Sequence, residues 1–262
     1  MAVGFFREIW LHRRLVLTLA GRAVKARYAG SVLGLAWAIL EPLLQFALFL
    51  VVFGIFLGLR GLAPAGGSFA LWLLAGLIPF LLLQEGWVRA AGVFRAHAGL
   101  VKHVPVPLSV LLLSELLAVL ARHGVMMALF VVAGLVRREL GVPGLAFLLA
   151  GLLVVLLFLV GGSLFLSIAG SYLPDVVPVT STVMSFFLYA TPILYPVRVV
   201  PAQWQVVFLA NPLWGVTEVF RLALGGEANV RAMAVSLAFA LVLFVGGMVF
   251  FGRRQSAPRD LV

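Results

Sequence analysis

The chain has 262 residues, 64% of them hydrophobic, and a mean hydropathy of +1.18, a composition that excludes a soluble domain and marks an integral membrane protein. Each span consumes about 20 residues, so one membrane domain is expected, with little room for a soluble catalytic domain. The absence of cysteine excludes disulfides, thiolate metal sites and cysteine catalysis, and the +10 formal charge is informative by position rather than as a total.

At the start of the chain Phe5, Phe6, Ile9 and Trp10 fall at helical spacing beside Arg7, Arg13 and Arg14. The run is too charged to cross a bilayer, so an amphipathic interfacial helix is expected within residues 1–30. A cleaved signal peptide is the rival reading, but Arg22, Lys25 and Arg27 follow without an apolar core and a small-residue cleavage site between. The next stretch, Arg27 to Leu44 (RYAGSVLGLAWAILEPLL), turns from basic to apolar through a corner of small residues. Tyr28 is expected at headgroup level, and Gly30, Ser31 and Gly34 are expected to admit close approach of neighbouring backbones.

Six spans are predicted, over residues 32–59, 69–88, 108–136, 145–168, 179–194 and 232–251. The Gly-rich turn from Gly61 to Ser68 separates the first two, and Pro79 predicts a kink that neighbouring helices tolerate. An even number of spans puts both ends on one side. With the N-terminus inside, the inner segments carry twelve Lys and Arg: Arg7, Arg13, Arg14, Arg22, Lys25, Arg27, Arg89, Arg95, Lys102, Arg253, Arg254 and Arg259. The outer segments carry six: Arg60, Arg137, Arg138, Arg198, Arg221 and Arg231. The excess places both termini in the cytoplasm.

Between the fifth and sixth spans, residues 197–229 hold two apolar stretches broken at Asn211-Pro212, each too short to cross. Re-entrant or interfacial helices are expected, with Pro201 and Pro212 near first-turn positions and Gly225-Gly226 as a stop. An extracellular loop resting on the bilayer through Trp204 and Trp214 is the simpler alternative.

A phosphate-cradling loop requires a lysine after glycine, and the two lysines, Lys25 and Lys102, both follow valine. No ATP site of that kind is expected here, so any ATP-driven transport draws on a separate subunit. The cytoplasmic elements that can meet such a subunit are the N-terminal helix, the segment from Ala90 to Pro107 stiffened by Pro105 and Pro107, and the turn from Ser171 to Pro178. Within them Arg95, Leu100, Val101, Lys102, Val104, Pro105 and Asp175 are the coupling candidates, although ordinary juxtamembrane loops look similar.

Ionisable residues at membrane depth are functional candidates because leaving them unpaired is costly. Glu115, Arg122 and His123 form this set, with Glu115 read as the one mid-span acid. Glu115 and Arg122, two turns apart, are expected to share a face without touching, and His123 to point elsewhere. Interhelical pairing and a proton relay both stay open for them. Flat aromatic rings stack on sugar faces, which makes Trp37, Phe53, Tyr189 and Tyr195 candidate path-lining positions.

The string from Arg27 to Pro42 resembles the start of permeases in the ABC-transporter family that exports polysaccharides and some drugs, whose pattern is R-Y-x-x-S-x-L-G-x-x-W-x-x-x-x-P. Arg27, Tyr28, Ser31, Leu33, Gly34, Trp37 and Pro42 fall on its positions. LVKHVPVP from Leu100 to Pro107, TPILYP from Thr191 to Pro196 and NPLWGVTEVFRLAL from Asn211 to Leu224 resemble the same family.

The resemblance implies an all-α permease that homodimerises and pairs with two copies of an ABC ATPase subunit carrying ATP and Mg. It would export a lipid-linked polysaccharide such as an O-antigen, capsule or teichoic-acid precursor across the bacterial inner membrane. The short helices would form an outer lid, with Trp204, Asn211, Pro212, Trp214 and Arg221 as its residues. On this reading the chain is not an enzyme, binds no cofactor or metal of its own, and has membrane lipids but no nucleic acid among its partners. A drug or small-lipid exporter of the same superfamily is the alternative. An ion-coupled secondary transporter, which needs embedded acids and usually repeated halves, is the remote one.

Overall fold

A computed structural model describes residues 2–59, 67–104, 106–255 and 258, and the side chains of residues 2–6 lie outside that description, as does Pro105. Among the described residues every regular element is helical. Two helices, α1 (Ala2–Leu11) and α2 (Arg13–Arg27), lie in sequence before the first span. Trp10 is exposed and Arg13 stacks over its ring at 4.9 Å. Val16 and Ala20 of α2 are buried, and α2 packs along α6 (Leu108–Val136). The predicted interfacial helix is thus two helices joined at His12.

The corner that follows behaves differently from expectation. Gly30 and Gly34 have φ of +79° and +50°, and a Cβ at either would meet no atom within 4 Å. These glycines serve a left-handed turn, not a close backbone approach. Tyr28 is buried against the protein. Close approach occurs instead between α7 (Val142–Tyr172) and α11 (Val230–Arg254), where a Cβ on Gly247 would lie 2.3 Å from the Gly161 carbonyl. Small residues at that crossing let two long helices touch backbone to backbone.

Among the described residues five helices are long and apolar enough to cross a membrane: Gly34–Phe56, α4 (Phe69–Ala96), α6, α7 and α11. The first is composite. A 3-10 turn over Gly34–Ala36 leads into α3 (Trp37–Phe49), and a π-helical segment, Leu50–Phe56, ends with the Leu57 amide donating to the Val52 carbonyl at 2.9 Å. The fifth apolar region is shorter than predicted. α8 (Val176–Ala190) has 15 residues, about 22 Å of rise against a hydrocarbon core of about 30 Å. It stops four residues before the predicted end because Pro192 offers no amide and holds Thr191 extended, at φ −105° and ψ 140°.

α4 is the hub: 78% of its most apolar window is buried, against 6% for the first span. Aliphatic and aromatic side chains of α4 pack with those of α6, α7, α8 and α10 (Trp214–Leu222) into one core. The chain therefore divides into a packed body and a loosely attached first span. If α8 and the turn after it complete a crossing, a reporter fused after Leu261 will be active only in the cytoplasm and one inserted beside Gly226 only outside. The opposite pattern would overturn the span count.

Candidate functional site

A cluster of charges joins the loosely packed first span to the body. Glu41, Gln45, Phe46 and Phe49 of α3 face the same cavity as Leu74, Leu77, Ile78, Gln84 and Glu85 of α4. Between these walls, α6 and Ser181 of α8 lies a cavity of about 460 Å³. One end is charged, with Arg27, Glu41, Glu85, Arg89, Arg122 and His123, and the other is apolar. A single cavity thus offers an ionic end and a hydrocarbon end.

Glu85 is the centre of the ionic end. Its Oε1 accepts from Arg27 Nη1 at 2.9 Å and from Arg89 Nε at 2.9 Å, while its Oε2 meets Arg122 Nη2 and lies 3.0 Å from His123 Nε2. A carboxylate only accepts, so the last bond requires the imidazole proton on Nε2. Glu41 takes Arg27 Nη2 at 3.1 Å and Arg122 Nη1 at 3.4 Å. Glu115 takes Arg89 Nη1 at 3.2 Å, with His97 Nε2 3.7 Å from its other oxygen. Three arginines thus alternate with three carboxylates, which is how charge is tolerated in a low-dielectric interior.

Two expectations are corrected here. His123 does not point away, because it sits at Glu85 beside Arg122. Glu115 is not the one embedded acid, since Glu41 lies in α3 and Glu85 in α4. Glu115 and Arg122 do occupy separate contacts, as expected, but both belong to the same chain of pairs through Arg89 and Glu85. The signal for Glu41 was present in the sequence, as a lone acid inside an apolar run.

Arg95, Leu100, Val101, Lys102 and Val104 lie where α4 gives way to α5 (Ala98–His103), and Asp175 lies on the turn before α8. Arg95 is committed inside the chain, donating from Nε to the Gly170 carbonyl at 2.9 Å and from Nη2 to the Ser171 carbonyl at 3.0 Å. Val101 is buried and Leu100 half-buried. Lys102, Val104 and Asp175 are exposed and offer surface to a partner. Leu100 also borders a second cavity, of about 440 Å³, with Arg22, Arg27, Arg89, His97 and Glu115 on its wall. The ionic cluster and the coupling segment are therefore neighbours.

The four aromatic candidates do not converge. Trp37 and Tyr189 are exposed, Phe53 packs against the core 6.1 Å from Phe49, and the Tyr195 hydroxyl donates to the Tyr189 carbonyl at 2.7 Å. None of them lines the 460 Å³ cavity.

The predicted outer pair is present as α9 (Ala202–Leu209) and α10. They differ in burial: α9 has no buried residue and leaves Trp204 exposed, whereas Trp214 and Arg221 of α10 are buried. Arg221, counted above as an outer-loop cation, is an interior one. Asn211 donates from Nδ2 to Thr191 Oγ1 at 2.8 Å and to the Ala190 carbonyl at 3.2 Å, and its Oδ1 accepts from the Leu213 amide at 2.9 Å. The Pro212 carbonyl accepts from Ser236 of α11. A loop resting on the bilayer does not describe α10, which is seated among α4, α7 and α11.

These features define a multi-pass membrane protein with an amphipathic entry pair, an ionic cluster at one end of an amphipathic cavity and a short helix seated in the packed body. Residues 14–224 match the ABC-2 type transporter family, and the chain belongs to that family. It is similar to the polysialic acid transport protein KpsM of Escherichia coli, at 27% identity over 90% of this chain and 92% of that one. It is also similar to the O-antigen export system permease protein RfbA of Myxococcus xanthus, at 22% identity over 99% and 100%. The RfbA permease of Klebsiella pneumoniae is 25% identical over 91% of each chain.

Proposed function

We propose that this chain is the membrane-spanning subunit of a bacterial ABC exporter that moves a lipid-linked polysaccharide out of the cytoplasm, powered by a separate ATPase. The observation that carries the reading is the near full-length similarity to permeases of polysialic acid and O-antigen export, which favours a polymer over a drug or a small lipid. The cavity supports it physically: an ionic end next to an apolar end suits an amphipathic cargo with a charged headgroup and a long hydrocarbon chain.

On this reading two copies of the chain pair in the inner membrane, both termini face the cytoplasm, and two ATPase subunits dock on the surface offered by Lys102, Val104 and Asp175. The chain makes and breaks no bond. ATP-driven closure of the partners would displace the cytoplasmic elements, and the packed body would carry that displacement to the outer pair α9 and α10. ATP and Mg belong to the partner.

The test is reconstitution. The purified chain alone is expected to hydrolyse no ATP, and the complex with the ATPase encoded beside it to hydrolyse ATP and translocate lipid-linked polymer into vesicles. ATP turnover by the chain alone, after contaminating ATPases are removed, would overturn the division of labour. Neighbouring glycosyltransferase genes are expected, whereas a lone ATPase gene would favour a drug.

A further inference from the structure

The broken outer end of α8 leaves backbone carbonyls without helical partners, and at membrane depth such groups must be satisfied by protein. Arg221 of α10 does this. Its Nη1 donates to the Pro192 carbonyl at 2.8 Å and its Nη2 to the Ile193 carbonyl at 2.9 Å, while Asn211 takes the Ala190 carbonyl. The guanidinium carbon lies over the Trp72 ring of α4, 3.7 Å from its centroid, and Glu218, 3.7 Å away, balances its charge. Glu218 is itself held by the Trp214 indole and the Asn229 amide, each at 3.0 Å. Arg221 is thus fixed by α4, by α10 and by the end of α8 together.

At the other end of α4, Arg95 grips the Gly170 and Ser171 carbonyls, at the foot of the turn that leads into α8. Trp72 and Arg95 are 23 residues apart on one helix, about 35 Å. α4 therefore holds the end of α8 through Arg221 and Trp72, and holds the last turn of α7, just before α8 begins, through Arg95. α10 is pinned with the end of α8, and α8 packs along α4 between the two.

The geometry points to α4, α8 and α10 moving as one strut, with Arg221 as its outer pin. A displacement applied at the cytoplasmic turn before α8 then reaches α10 without a hinge at Thr191–Tyr195, and Arg221 is a positioning residue for transport. The role of Arg221 in transport rests on the chain being a driven permease; the rigidity of the strut does not.

The cysteine-free chain allows a direct test. A Cβ on Gly76 would lie 3.6 Å from Ile193 Cα and 3.1 Å from its Cγ2, so Gly76→Cys with Ile193→Cys sets two sulfurs within disulfide reach and removes the methyl that would obstruct them. In the reconstituted complex the cross-link is expected to form equally with and without ATP, and to leave export at the level of the same variant kept reduced. Failure to form, formation in only one nucleotide state, or a block of export relieved by reductant would overturn the strut.

Arg221→Met is expected to lower export at least tenfold while the complex still turns over ATP, with Arg221→Lys recovering part of the loss. Equal loss of turnover and export in Arg221→Met, with no recovery in Lys, would overturn the positioning role. Cross-link yield is read without any substrate, so failure of the strut is distinguishable from failure of the polysaccharide reading, which shows as a wild-type complex that exports no polymer.

Discussion

Glu85→Ala is expected to cost about 3 kcal/mol of stability, because it removes the carboxylate shared by Arg27, Arg89, Arg122 and His123 and leaves the largely buried Arg122 with only its 3.4 Å contact to Glu41. Side-chain exposure at Glu85 and Arg122 is 15% each, so water supplies little relief. Glu41→Ala is the control. Glu41 also meets two arginines, but its side chain is 45% exposed, and a pair of that kind contributes about 1 kcal/mol or less. In detergent, Glu85→Ala should lower the thermal midpoint on the order of 10 °C and Glu41→Ala by a few degrees at most. Glu85→Gln, which keeps an acceptor but loses the charge, should fall between them. Equal, small losses for Glu85→Ala and Glu41→Ala would mean that the cluster is solvated and contributes little to holding the first span.

The contrast also explains why the first span can be poorly packed and still attached. Much of its surface is apolar and exposed, as befits a helix in lipid, and its polar tie to the body passes through Glu41. Hydrophobic burial does not distinguish protein from lipid around such a helix, whereas charge pairing does. The cavity between this span and α4 is consequently the place where the fold has least to lose by opening.

The long spans were legible in the sequence, since each is an apolar run long enough to cross, and helix periodicity is not needed to see that. The cluster was half legible. Glu115, Arg122 and His123 stand out as polar residues in apolar surroundings, but their partners sit on α3 and α4, some 30 to 80 positions away, and pairing across helices leaves no local pattern. Expecting His123 to point elsewhere followed from treating α6 as an isolated helix, where neighbours in sequence diverge in angle. In the fold the four groups around Glu85 come from α2, α4 and α6, so direction on one helix does not decide contact.

Glycine was similarly ambiguous. The same residue type serves a left-handed turn at Gly30 and a helix crossing at Gly161, and only the fold separates the two. The end of α8 was readable in principle, because the proline at position 192 biases Thr191 out of the helix. Hydropathy alone carried the predicted span past it.

The largest functional effect is expected at the segment after α4, where Val104→Gly should uncouple the ATPase from transport. Val104 is exposed and extended, with φ −121° and ψ 132°, just after α5. Glycine at such a joint releases backbone that valine restrains, and costs no packing because the side chain buries little. Val101 does not suit this experiment. It is 3% exposed and belongs to the core, so Val101→Gly would lose buried surface worth about 1.5–3 kcal/mol as well as helix stability. With Val104→Gly, expression and complex assembly should match wild type and ATP turnover should persist. Polymer export should fall at least tenfold, because displacement of the partner is absorbed at the joint before it reaches α4 and α6. Unchanged export would remove this segment from the coupling path, and a complex that no longer assembles would show that Val104 docks the ATPase rather than transmitting its motion.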